Sequence, residues 1–363
     1  MERTQFTYSR ESFLAPSGVT YSYLICDGRR RVTGSVPAED HLPPILAIHG
    51  LGFNASYWFP LMRSLYGKCN FVAVDLPSSG MSSSVAVGDI SLNSISQDLA
   101  SLMQSLFFAR YFIVGQGFGG LVSLQMGANY PENIVKMVVC STNPQPLPTP
   151  DPDYAFPYNI VLQRLLATVS TLPETEICDT ARTLASILDS EDTSPETSLA
   201  NQYANSLGQF QFYTALLPSV NIRDILPSVA APVLIVSGTD DLSVPMGASG
   251  VLRENIPNSA LVEIYGAGTN IPIRRTLQFN DLVQNFLLCG YTICQSELIL
   301  NRLFSPVNCL EIPAAADLFA APCHKPHHKP CSAPEDECDV SDEEDDVPAP
   351  IPRRVVIRPR YVN

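Results

Sequence analysis

The chain has 363 residues, 45% hydrophobic and only 16% charged, with a formal net charge of −14; that suits one large α/β domain with an insertion, or two modest domains, and argues against a nucleic-acid-binding surface. No run of about 18 apolar residues offers a membrane span, and Met1-Glu2-Arg3-Thr4-Gln5 opens no apolar stretch of signal-peptide length. A cytoplasmic protein is therefore expected, with its ten scattered cysteines reduced.

In chain order, strand-like and helix-like segments alternate, the pattern of a mostly parallel sheet with helices on its faces. Tyr21 to Cys26 reads as a strand, and Arg29 to His41, polar with Gly34 and Pro37, as a loop. "PILAI", Pro44 to Ile48, is a short continuous apolar run of the kind buried parallel strands show. Tyr57 to Leu65 reads as helix and Phe71 to Val74 as the next strand, ending at Asp75. From Leu92 to Leu106, apolar residues fall three or four apart on one helical face, with Ser91 as N-cap. Tyr111 to Val114 and Ile134 to Cys140 read as strands, with a helix from Leu121 between them.

The rhythm then breaks. "NPQPLPTPDPD" holds five prolines, which exclude regular structure, and helical stretches such as Ile160 to Thr168 and Cys178 to Leu188 follow. Residues 143–228 are expected to be an inserted helical cap dividing a core of 1–142 and 229–300. In the second part, Pro232 to Ser237 and Leu261 to Tyr265 read as strands, and Gly247 to Asn255 and Leu277 to Leu288 as helices. Residues 301–322 form an extension, and 323–363 a low-complexity tail expected to be disordered.

That tail carries nine acidic and six basic side chains, which leaves the rest of the chain acidic in its own right. Cys323, His324, His327, His328 and Cys331 are of zinc-ligand type, but their prolines and lysines fit no zinc-finger spacing, and a solvated tail is preferred. Val355-Val356-Ile357, among four arginines, reads equally as a strand that adds to a partner's sheet edge or as a loose end.

Three candidate sites fall at the ends of expected strands, where open α/β sheets bind ligands. His49-Gly50-Leu51-Gly52 follows the first; Asp75 to Ser82, D-x-x-x-x-G-x-S, follows the second. The third is "GQGFGG", Gly115 to Gly120, a strand-to-helix turn with the form G-x-S-x-G but glycine at its centre. With Ala231 to Asp241 these motifs resemble the α/β-hydrolase family, in order, over about residues 20 to 290. The resemblance implies the α/β-hydrolase fold, a mostly parallel central sheet flanked by helices, to which this sequence adds the inserted helical cap and the C-terminal tail expected to be disordered. It also implies an oxyanion hole near His49-Gly50, a nucleophile at 117, an acid at Asp241 (Asp240 the runner-up), and a base at Thr269 or Asn270.

Gly117 has no nucleophilic atom, and neither Thr269 nor Asn270 is a general base near pH 7. Losing a nucleophile or base alone costs on the order of 10⁶ in turnover. Cys140, one strand away, reads as a small core residue. Asn270-Ile271-Pro272, the glycine-rich elbow and the C-terminal extension are similar to maspardin-like, non-catalytic members of the fold, although those keep a serine at the elbow. The resulting expectation is a catalytically silent, protein-binding scaffold module without cofactor. The alternatives are an esterase-type hydrolase with a non-standard nucleophile, or a receptor for a small carboxylate or lipid lined by His49, Gly50, Leu51, Gly52, Gly117 and Phe118.

Overall fold

The computed structural model describes residues 6–26, 42–85, 90–145, 220–241, 244, 247–288 and 355–357. Within them, nine strands form one sheet: β1 (Ser9–Leu14), β2 (Thr20–Cys26), β3 (Ile45–Ile48), β4 (Phe71–Val74), β5 (Tyr111–Gln116), β6 (Ile134–Cys140), β7 (Val233–Gly238), β8 (Ser259–Ile264) and β9 (Val355–Ile357). The spatial order is β1-β2-β4-β3-β5-β6-β7-β8-β9. β1 and β2 run antiparallel to their neighbours; β4 through β9 run parallel. This is the α/β-hydrolase fold expected from the sequence. The cap segments and zinc-ligand-type residues named above lie outside the described residues.

Period-two alternation explains why the central strands are apolar throughout. Leu46 and Ile48 of β3 enter the core on one face of the sheet, and Ile45 and Ala47 enter the core on the other. One face is covered by α2 (Leu92–Ser105) and α3 (Phe118–Asn129). The other is covered by Trp58, α1 (Phe59–Ser64) and, near the C-terminal side, α6 (Thr276–Leu288). The remaining helices are α4 (Ala248–Asn255) and the short α5 (Ile271–Arg274).

α2 starts where its sequence directs: the Ser91 hydroxyl accepts from Ser94 N–H, and the Ser94 side chain returns the bond to the Ser91 backbone. Its one inward acid, Asp98, accepts hydrogen bonds from the Tyr21 hydroxyl and from the Ser17 N–H and hydroxyl, which satisfies a carboxylate otherwise costly to bury. The segment read as helix from Tyr57 begins earlier, as a 3-10 turn over Ala55–Trp58 capped by Asn54, before α1 takes over.

β1 escaped the sequence reading because it is an edge strand with mostly exposed side chains and no apolar alternation. Its Arg10 reaches inward to Asp75 at 2.5 Å and to the Ser22 hydroxyl at 2.6 Å. Asp75 is fully buried at the end of β4, and its two oxygens also accept from Ala55 N–H at 2.6 Å and Met81 N–H at 3.0 Å. Gly80 comes so close that a Cβ there would overlap the carboxylate. One anion thus closes the β4 loop and ties the antiparallel edge to the parallel core. Asp75→Ala leaves three donors without their acceptor and is expected to cost about 3–5 kcal/mol in urea unfolding. A loss below about 1 kcal/mol would contradict this role for the carboxylate.

Candidate active site

The chain order reverses between β3 and β5: β4 lies on one side of β3 and β5 on the other, so a crevice opens beyond their carboxyl ends. Gly117 stands there, between β5 and α3, with φ 55 and ψ −118, a left-handed turn that costs glycine little. Its N–H donates to Cys140 O at 2.9 Å, and its own carbonyl accepts from Gly120 N–H at 3.0 Å as the helix begins. A Cβ at 117 would meet only Gly50 Cα at 3.7 Å and Ser141 O at 3.9 Å, which is ordinary contact. The elbow therefore keeps its turn and has space for a side chain that the sequence does not supply.

The glycines around it have the opposite character. A Cβ on Gly119 would overlap the Ile48 carbonyl and lie 2.5 Å from the His49 carbonyl; one on Gly115 would lie 2.5 Å from Gly119 O; one on Gly120 would overlap the Thr142 side chain. These positions let α3 sit directly on the ends of β3, β5 and β6. Phe118 is the first residue of α3, and Leu51 and Gly52 follow β3 in the loop after His49-Gly50.

His49 is fully buried. Its Nδ1–H donates to Gly50 O at 2.8 Å, and Nε2 accepts from Leu76 N–H at 3.0 Å. The ring thus braces the β3 loop against the β4 loop as a neutral tautomer. Burial, the largest cause, pushes its pKa below the ordinary imidazole range, against smaller upward pulls from the Gly50 carbonyl and from Asp75. His49 is the one histidine among the described residues, and its Nε2 lone pair is engaged.

The acid and base positions do come together. Thr269 Oγ1 donates to Asp241 Oδ1 at 2.7 Å across the loops that follow β7 and β8. This separates the two residue pairs that the sequence left open. Asp240 instead accepts from Thr239 and is exposed, while Asn270 accepts from the Tyr57 hydroxyl at 3.4 Å and precedes α5. Tight loop packing fixes the register: Asp240 N–H donates to Ala267 O at 3.0 Å, and a Cβ on Gly238 would overlap that same carbonyl.

Ser141 was not singled out from sequence, although it directly follows β6 in line with the other strand-end residues. It has φ 47, unusual for a non-glycine residue. Its hydroxyl donates to Thr269 O at 3.1 Å, and its carbonyl borders the space beside Gly117. Ser141 thereby connects the elbow to the Thr269–Asp241 pair. Cys140 is completely buried, and burial raises its thiol above the usual thiol range, so it is no thiolate nucleophile.

Among the described residues, no cluster of three or more metal-ligating side chains occurs, and no helix is long and apolar enough to cross a membrane.

A family model described as the alpha/beta hydrolase fold matches residues 43–275. The chain is 26% identical over 261 residues to a putative carbamate hydrolase RutD of Yersinia enterocolitica, covering 70% of this chain and 90% of that protein. It is 23% identical over 252 residues to a pimeloyl-[acyl-carrier protein] methyl ester esterase of Aeromonas hydrophila, covering 68% and 95%. The enol-lactonase of Burkholderia xenovorans superposes with a TM-score of 0.61 at 19% identity, over 76% of this chain and 99% of that one. An esterase of Exiguobacterium antarcticum gives 0.63 at 17%, over 77% and 99%. These relatives carry the names of hydrolases. The expectation of a catalytically silent, maspardin-like scaffold is corrected on that finding. It had rested on two missing side chains, whereas the elbow turn at Gly117 and the contact of Thr269 with Asp241 are present.

The His49 brace makes a prediction about pH. The unfolded chain takes up a proton on this imidazole as pH falls through about 6.5, while the buried ring resists it, so stability is complete above that value and declines below it. The slope from this one group is at most about 1.4 kcal/mol per pH unit. Urea unfolding followed from about pH 7.5 to 5.5 should show the decline, and His49→Gln should flatten it. Parallel curves for the two proteins would remove His49 as the cause.

Proposed function

The chain belongs to the alpha/beta hydrolase fold family, and on that footing we propose that it is an esterase-type hydrolase of small carbonyl substrates, an ester or carbamate, with water in place of a serine nucleophile. The observation that carries this reading is the 2.7 Å bond from Thr269 to Asp241, set beside an elbow whose residue 117 leaves a side chain's worth of space. The carbonyl-ester and carbamate chemistry named for the relatives supports the substrate class.

In this reading the substrate carbonyl lies against the start of α3, with its oxygen toward the N–H of Phe118 and that of Leu51 or Gly52. A water molecule in the space beside Gly117 attacks the carbonyl carbon. Its proton passes to Thr269 Oγ1 as the threonine's own proton moves to Asp241, and the carbonyl electron pair moves to the oxygen held by the backbone donors. Collapse of the tetrahedral adduct breaks the bond to the leaving alcohol, and the proton on Asp241 returns through Thr269 to that alkoxide. The products are an alcohol and an acid, so the small carboxylate or lipid suggested as a ligand becomes a product or a substrate acyl chain. His49, Gly50, Leu51 and Gly52 then form one wall, with the His49 ring as its support.

Short-chain p-nitrophenyl esters and carbamates should be turned over above the buffer rate by roughly 10³–10⁴, the level that oxyanion stabilisation sustains without a full triad. Asp241→Asn should remove about ten-fold or more of this. Wild-type protein no faster than buffer would end the reading. A second variant tests the frame: Gly117→Ser with Thr269→His restores a serine, a base and its acid. It should exceed the wild type by about 10² or more, although a non-glycine residue at φ 55 costs about 1–2 kcal/mol in stability.

A further inference from the structure

β9 lies on the outer edge of β8 and runs parallel to it: Val355 registers with Val262, Val356 with Glu263 and Ile357 with Ile264. The stretch was expected to join a partner's sheet or to be a loose end, yet it pairs with the sheet of its own chain, with 66 residues between it and the last residue of α6. The register matches chemistry on both faces. Val262 and Ile264 are buried members of the core under α6, and the residues registered with them are valine and isoleucine. Glu263 is registered with Val356, and the sequence on both sides of Val355–Ile357 is rich in arginine. Pro352 and Pro359 bracket the stretch, and proline cannot extend a ladder. The body is acidic, and this C-terminal stretch carries Arg353, Arg354, Arg358 and Arg360.

We propose that the outer edge of β8 is a strand-docking site specific for the chain's own C-terminal segment, held in cis by the parallel ladder of 355–357 on 262–264 and by the attraction between an arginine-rich sequence and the acidic body that includes Glu263. An open edge on a parallel sheet invites pairing with other chains, and this segment covers it. The edge also leads directly into the loop that carries Thr269, so the docked strand steadies the β8 side of the candidate site. The inference is independent of the catalytic reading and is tested without activity.

Successive residues of a strand aim their N–H groups to opposite sides, so Val355→Pro with Val356→Pro in the full chain removes the donor facing β8 whichever residue supplies it. Hydrogen exchange at the amides of residues 259–265 should become at least about ten-fold faster in this variant than in the wild type. A fluorescent peptide of residues 350–363 should bind the variant. It should bind the wild type at least about ten-fold more weakly, because the tethered segment competes at an effective concentration near millimolar. Glu263→Lys added to the variant should weaken the peptide further. Unchanged exchange at β8, a peptide that binds neither protein, or equal binding to both would overturn the proposal. So would exchange protection that appears only with a concentration-dependent dimer, which would place the strand on a second copy.

Discussion

Everything at the candidate site depends on how closely α3 can approach the sheet. The Gly119 backbone lies against the carbonyls of Ile48 and His49, and Gly115 and Gly120 admit Gly119 and Thr142 into the same small volume. A single methyl group at Gly119 would meet backbone, which cannot rotate away as a side chain can. This contact sets the helix start, and with it the direction of the N–H groups and partial positive charge at the helix N-terminus. The left-handed turn at Gly117 follows from it: a strand that must enter a helix at such short range has little alternative to positive φ.

The second layer of support is polar and buried. His49 connects the β3 and β4 loops through both ring nitrogens, and Asp75, at the end of β4, gathers Ala55, Met81 and Arg10. Removing one member of such a set exposes the cost of the others, since a buried donor without an acceptor loses its water and gains nothing in return. The crevice is thus built on two rigid loops. Its third side, where Thr269 meets Asp241, is fixed by backbone bonds between the loops after β7 and β8 and by Ser141.

The buried parallel strands were legible in the sequence because both of their faces are apolar: β4 and β6 match the reading residue for residue, and β3, β5 and β7 differ by one or two residues at their ends. β1 was not legible, since an exposed edge strand of serine, arginine and glutamate carries no period-two signal. Spacing pointed to Asp241 as the acid position. That Thr269 rather than Asn270 reaches it could be seen only in the fold, because it turns on which side chain crosses to the neighbouring loop. Ser141 was hidden for a different reason: nothing in a serine after an apolar run announces a positive φ. The weight given to Gly117 shows the converse limit. One missing side chain determines what residue 117 cannot do, whereas relationship to hydrolases concerns what the whole site does.

The Thr269–Asp241 contact bears on why the frame is so complete. A threonine hydroxyl is a far weaker base than imidazole. In the proposed hydrolysis, a threonine–carboxylate pair assists water without replacing a triad, so activated carbonyls with good leaving groups are the substrates it favours. Had the base slot served packing alone, an apolar β-branched residue such as valine would fill the same volume without burying a hydroxyl. The hydroxyl instead donates to Asp241 Oδ1 at 2.7 Å. In the proposed hydrolysis, Thr269 and Asp241 keep a path for the water proton, with a weaker base in it than imidazole.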